Sequence, residues 1–211
     1  MCTPRLLAAS SPDGARGWMA SGGKDVNSNN YFQTTEIYRV DGTWTNGPNL
    51  PTELHDHCQV QVGTQVFIIG GRSGAGSSSS IFLLENNGWR EMSSMIQARE
   101  FHACVELLGK IYTIGGEHSI TGGISSVEIY DPNSDTWEDG PELPIPLFYA
   151  QAITFEDTIY LFGGQDNKQI FTLGSTSSMW EVLEGVEVDE SFRAVFPAPV
   201  VSGDVLEVCF Q

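Results

Sequence analysis

Few residues in this 211-residue chain have the types and spacing that chemistry needs. The one compact set of metal-ligand types is Glu53-Leu54-His55-Asp56-His57. In an extended segment, side chains two apart share a side, so His55 and His57 read as facing the same way and able to share Zn²⁺ or Cu²⁺. No third ligand stands close in sequence. His57 is mirrored by His102 at the start of another apolar segment, and His55 and Asp56 read as part of a solvated loop, so no metal and no other cofactor is expected. Cys58 and Cys104 directly follow or neighbour these histidines. Superposing His57 on His102 sets Cys58 against Ala103 and gives Cys104 to the opposite strand face, which predicts two buried free thiols and no bridge. A nucleophilic Cys-His pair lacks an acidic or Asn orienter, so no catalytic residue is assigned. The serine run 77–80 lacks the Lys and the following helix of a phosphate-binding loop.

Charge excludes more than it assigns. Lys and Arg number 10 against 27 Asp and Glu, a net charge of −17. Residues 1–105 carry 7 basic and 9 acidic groups, and residues 106–211 carry 3 and 18. Such a surface repels phosphate backbones and anionic headgroups, so neither nucleic acid nor a membrane is an expected partner. The run Glu181, Glu184, Glu187, Asp189 and Glu190, free of basic residues, reads as an acidic rim suited to a basic or mixed-charge protein segment. No apolar run reaches the roughly 18 residues of a membrane span, and the opening residues lack a secretory apolar core. With four cysteines and no Asn-x-Ser/Thr sequon, a cytoplasmic setting is expected.

The elements that must position these residues announce themselves by a period. Gly22-Gly23, Gly70-Gly71, Gly115-Gly116 and Gly163-Gly164 are spaced by 48, 45 and 48 residues. Trp44, Trp89, Trp137 and Trp180 keep step, the first three each lying 26 residues before the next Gly pair. This is a repeat of 45 to 48 residues, with units at roughly 1–50, 51–96, 97–144 and 145–190 and a partial unit at 191–211. Each Gly pair ends a short β-branched and aromatic run (18–21, 65–69, 110–114, 158–162), preceded by another at 6–10, 58–62, 103–108 and 151–155. A third follows at 35–40, 80–84, 126–130 and 169–173, and the Trp seeds a fourth. Four strands per unit make a small sheet that cannot bury its faces alone, and radial stacking of such sheets gives an all-β propeller. Paired glycines then allow positive φ and close approach between blades, while the Trp fills the inter-blade space.

These residues resemble the kelch repeat: apolar strand, Gly-Gly, Tyr, about six residues, Trp, then Arg and His. The third unit fits best, with Gly115-Gly116, Tyr130 and Trp137; the first keeps Tyr38 and Trp44, the second has Leu83 for Tyr, and the fourth stretches to Phe171 and Trp180. Arg and His occur together only as Arg99 and His102; the other units have Leu54 with His57 and Leu147 with Ala150. The resemblance implies a kelch-type β-propeller of about four and a half four-stranded blades. It reads either as a fragment of a six-bladed ring or as an open five-bladed form, with missing blades or self-association expected.

The same resemblance implies a non-catalytic protein-interaction module. The loops after each Gly pair (24–33, 72–79, 117–125, 165–168) and those leaving each Trp strand (47–56, 93–100, 140–148, 184–190) should share one rim. In kelch adaptors for ubiquitin ligases that rim holds a substrate peptide, often through Arg. The candidates here are Arg72, Arg99, Glu117, His118, Glu187, Asp189, Glu190 and Arg193. Recruitment to a ligase would need sequence beyond these 211 residues. The competing reading is an enzyme on the same scaffold, a copper oxidase-like or sugar-modifying propeller, for which Tyr149, His57 and His102 are the only ligand candidates.

Overall fold

The computed structural model describes residues 5–6, 8–12, 17–25, 30–86, 88–187, 200–202 and 205–207. These residues build four antiparallel sheets of four strands, one per repeat, with no helix among them. Blade I comprises Ala9–Pro12, Gly17–Ser21, Thr35–Arg39 and Trp44–Asn46. Blade II comprises Cys58–Val62, Gln65–Ile69, Ile81–Glu85 and Gly88–Glu91. Blade III comprises Ala103–Leu107, Lys110–Ile114, Val127–Asp131 and Thr136–Asp139, and blade IV comprises Ala150–Phe155, Thr158–Gly163, Gln169–Gly174 and Glu181–Glu187. The first strand of each blade packs beside the first strand of the next, which sets these four around a common axis.

Where the sequence reading placed the first inner strand at 6–10, the structure starts it at Ala9, while Arg5–Leu6 pairs instead with Lys24–Asp25. Of the partial fifth unit, Val200–Ser202 pairs antiparallel with Val205–Glu207, and its other residues lie outside the described ones.

The blades are held by seams that repeat with the sequence. Each turns one face to its predecessor: in blade III this face carries Ile111, Tyr130 and Trp137, and in blade IV Ile159, Leu173 and Trp180. Ile111 and Tyr130 are fully buried against Phe67, Ile69, Ile81 and Leu83 of blade II. At every such seam the Trp indole N–H reaches back to a backbone carbonyl four residues after the preceding Trp. Trp89 donates to Pro48 O at 3.0 Å, Trp137 to Ser93 O at 2.5 Å and Trp180 to Pro141 O at 2.8 Å. The ring fills the apolar space while its one polar atom is satisfied, which a buried indole requires. Blade I presents the same face outward. Trp18 and Tyr38, and Tyr38 and Trp44, are cross-strand neighbours there, and the three rings are 44%, 40% and 37% exposed.

The Gly pairs act as the period suggested. Gly70 (φ 61°) and Gly115 (φ 62°) take left-handed backbone, and an added Cβ would come within 2.7 Å of Arg99 O and 2.3 Å of Leu147 O. The second glycine of three pairs donates its N–H to the link that leads into the next blade: Gly23 to Leu54 O, Gly71 to Arg99 O and Gly116 to Leu147 O. A side chain at the first position would push the two blades apart.

Candidate functional site: the axial rim

Each link from one blade into the next crosses the axial end of the ring at a non-glycine residue with left-handed backbone: Asp56 (φ 54°), Phe101 (φ 55°) and Tyr149 (φ 61°). The three hold one repeat position. Phe101 N–H donates to Asp56 O at 3.0 Å and Tyr149 N–H to Phe101 O at 2.9 Å, so successive links are tied to one another around the axis. The residue before each is bonded to the loop that follows a Gly pair. His55 and Arg72 exchange both backbone bonds, as do Glu100 and Glu117, and Gln165 N–H donates to Phe148 O at 3.0 Å. Both sets of loops therefore form one rim, as the strand order predicts. Two of the post-glycine loops close into small hairpins, Arg72–Ser73 with Gly76–Ser77 and Glu117–His118 with Gly122–Gly123. Ser119 N–H joins them by donating to Ser77 Oγ at 2.8 Å, and the second hairpin carries the exposed Ile120 at its tip.

Side chains alternate in character around this rim. At the I–II junction, Tyr31 stacks on His55 with ring centres 4.3 Å apart, and His55 Nδ1 meets the Asp56 carboxylate at 2.5 Å. At the II–III junction, Arg72 Nη1 lies 3.2 Å from Glu100 Oε1. At the III–IV junction, Tyr149 packs on Phe101 at 4.3 Å and on Phe148 at 5.4 Å. Burial raises the carboxyl pKa of Asp56 against the opposing pull of His55 and Arg72. Burial likewise raises that of Glu100; Arg72 works against this, and the nearby carboxylates of Asp56 and Glu117 add to it.

Several sequence expectations are corrected here. His55 and Asp56 do not lie in a solvated loop: both are buried side chains of the rim. Nor do His55 and His57 face the same way as in extended chain, because the left-handed Asp56 between them breaks the alternation. His55 lies under Tyr31, whereas His57 turns inward to Ser21. Ser21 Oγ donates to Gln59 Oε1 at 2.6 Å, so His57 Nε2 must be the donor in its 2.8 Å contact with Ser21. Gln59 Nε2 completes the network by donating to Ser11 Oγ and Met19 O. Burial drops the His57 pKa to about 3 and holds His102 well below the ordinary imidazole value, so both are neutral packing residues. Among the described residues no three His, Cys, Asp or Glu side chains gather as a metal site. A cavity of about 400 Å³ runs along the innermost strands, with Ser11, Trp18, Gln59, Gln61 and Glu106 in its walls.

Arg99 is not a rim residue. Its side chain is fully buried, pairing with Glu128 at 2.6 Å and donating to Gly115 O, Ser126 O and Ser126 Oγ. Glu128 also accepts the backbone N–H groups of Ile96 and Gln97. The other two seams hold Leu54 with Phe82 and Leu147 with Phe171 at these positions, all buried, so an ion pair and an apolar pair are alternative fillings of one site.

Cys58 and Cys104 are not free thiols: they form a disulfide, with Cα atoms 6.0 Å apart, between the innermost strands of blades II and III. The alternation argument was sound in its geometry and reversed in its conclusion. Neighbouring blades meet through opposite faces, so cysteines offset by one residue are the ones that meet.

Of the remaining candidates, Arg72 is a half-exposed rim residue, and Glu117 and His118 lie in the hairpin strand beside it. Glu187 ends the outer strand of blade IV, and Asp189, Glu190 and Arg193 lie outside the described residues. Sequence reading put the loops that hold Tyr31, Glu100 and Phe148 on the rim without singling these residues out, and it left out Phe101. The signal was there: they stand one or two residues before the mirrored His57 and His102 or at the equivalent place before Ala150, except Tyr31, which its own loop delivers.

Comparison with known proteins agrees with this architecture. The Kelch motif family matches residues 98–144. Kelch-like protein 38 of Rattus norvegicus is 31% identical over 147 residues, covering 65% of this chain and 25% of that protein. Kelch-like protein 33 of Homo sapiens is 32% identical over 107 residues, covering 48% and 20%. Kelch repeat and BTB domain-containing protein 12 of Danio rerio is 29% identical over 196 residues, covering 77% and 32%. The chain thus spans between a fifth and a third of the length of these relatives. The seams, the Gly pairs and these matches together support reading the chain as one built of kelch repeats.

Proposed function

We propose that this chain is a non-catalytic binding module that holds a partner protein at its axial rim. The observation that carries this is the rim itself. Eight rim residues of diverse chemistry, Tyr31, His55, Asp56, Arg72, Glu100, Phe101, Phe148 and Tyr149, are held on a rigid backbone ladder that runs through all three blade junctions. Variable side chains on fixed backbone suit recognition, and aromatic rings with an Arg among them are the residues that dominate protein interfaces. Kelch-like relatives support the same reading. An enzyme of the copper-oxidase kind finds no support in the site: Tyr149 packs at a tilt against Phe101 and Phe148, and His57 and His102 are buried packing residues.

The partner segment is basic or of mixed charge, because the carboxylates of the chain outnumber its cations and long-range attraction favours the opposite sign. Selection from a random peptide library displayed on phage tests this. Sequences rich in Lys and Arg are expected, with binding that weakens as salt rises. Equal recovery of acidic sequences overturns the charge preference, and failure to recover any binder that the rim residues affect overturns the module.

A further inference from the structure

The Glu100 carboxylate is the least satisfied group of the rim. Its side chain is 1% exposed, yet only Oε1 is engaged, by Arg72 Nη1 at 3.2 Å, which is long for a contact between full charges. Oε2 is buried with no hydrogen-bond partner among the described residues. Arg72, by contrast, is 45% exposed, so the guanidinium that meets this carboxylate among the described residues belongs to a half-exposed side chain over a buried anion. Asp56 and Glu117 add negative potential at the same place, and the rings of Phe101 and Tyr149 stand at the adjoining junction. Asp56 is already held by His55, but Glu100 and Glu117 share the one guanidinium and Glu100 Oε2 is left over, which describes a site suited to a further cation.

We propose that Glu100, backed by Asp56, is the receptor for a Lys or Arg side chain of the partner, and that Arg72 occupies the site as an internal stand-in until that side chain displaces it. This rests on the rim being the binding face and adds which atoms read the ligand. A buried carboxylate forms a shorter, bidentate contact with an incoming guanidinium than Arg72 gives it, so the exchange is favourable where the partner is held by its neighbouring residues. The opposite assignment, in which Arg72 reads an acidic partner, is the outcome that competes with it.

The test is a titration of the ¹⁵N-labelled chain with acetyl-Gly-Arg-Gly-amide, its citrulline isostere and acetyl-Gly-Glu-Gly-amide, read at the backbone amides of Arg72, Glu100 and Phe101. The Arg peptide is expected to shift these amides and to bind about tenfold or more tighter than the citrulline peptide. Glu100→Gln, which keeps the shape of the side chain, should remove that difference, and Arg72→Met should tighten the Arg peptide several-fold by removing the stand-in. Spectra of the unliganded variants show that each is folded. The proposal is overturned if the Arg peptide produces no shift, if it binds no better than the citrulline peptide, if Glu100→Gln leaves it unchanged, or if the Glu peptide shifts the same amides and is lost in Arg72→Met. A displayed peptide that maps to the rim and ignores Glu100→Gln would refute this assignment and leave the rim as the binding face.

Discussion

Arg99 shows how one residue position can serve the same seam in two chemistries. Its guanidinium and the Glu128 carboxylate are both buried, and removing either leaves a charge without its partner, which costs about 3 to 5 kcal/mol. The neighbouring seams place Leu and Phe at these positions. We expect Glu128→Phe alone to be strongly destabilising in urea unfolding, and the double change Arg99→Leu with Glu128→Phe to be less so than either single change. Recovery will be incomplete, because Glu128 also accepts the N–H groups of Ile96 and Gln97. A double variant no more stable than the singles would contradict the equivalence of the two fillings.

The buried histidines give the fold a pH dependence whose sign follows from their depressed pKa. His57 drops from 6.5 to about 3 on folding, because burial disfavours its charged form. Below 6.5 the unfolded chain takes up the proton first, so stability present above that value is lost as pH falls toward 3, approaching tenfold in the folding equilibrium per pH unit. His102 acts in the same direction. The raised carboxyls of Asp56 and Glu100 act oppositely, since the folded state protonates them first, but in the lower range where carboxyls titrate. Between about pH 7 and pH 5.5 the histidines dominate, so the urea midpoint should fall in the native chain and fall less in His57→Gln. Equal slopes would show that His57 is not held neutral.

Much of the strand scale was legible in the sequence because its signals are local. An apolar run ending in Gly-Gly states its strand and its end together, since left-handed glycine at Gly70 or Gly115 both stops the strand and admits the next link. The strand Cys58–Val62 falls where it was predicted to. What was not legible lies between strands. The facing of blade II against blade III decides whether Cys58 meets Cys104, and the sequence gives each strand's alternation without saying which faces meet. The left-handed turns at Asp56, Phe101 and Tyr149 were hidden for another reason: no glycine marks them, and their conformation is imposed by the backbone bonds between links. The disulfide closes a separation of 46 residues between adjacent blades, for which chain entropy gives about 4 kcal/mol of stabilisation as an upper value. Adding a small dithiol should therefore lower the melting temperature of the native chain and leave a Cys58→Ser, Cys104→Ser variant unaffected; an identical response of the two chains would show that the bridge contributes nothing.

At the scale of the molecule, the described blades stack through the same three-part seam, and the outward face of blade I carries Trp18, Tyr38 and Trp44 at the positions that blade III buries. The repeat period announced this architecture, and the excess of carboxylates is the ground for proposing a basic or mixed-charge partner. The period could not announce the rim's composition, because rim residues are those the repeat leaves free to vary. That freedom is the basis for reading the rim as the binding face, and one measurement addresses it directly. A peptide selected on the native chain is titrated into two variants. One carries Tyr31→Ser, Glu117→Ser and Phe148→Ser on the rim. The other carries Lys110→Ser and Glu138→Ser, an exposed ion pair on strands of blade III away from the rim whose loss should cost little. We predict a loss of affinity of about tenfold or more in the rim variant and none in the other. Retained affinity in the folded rim variant, or loss confined to the Lys110 and Glu138 variant, would contradict the account.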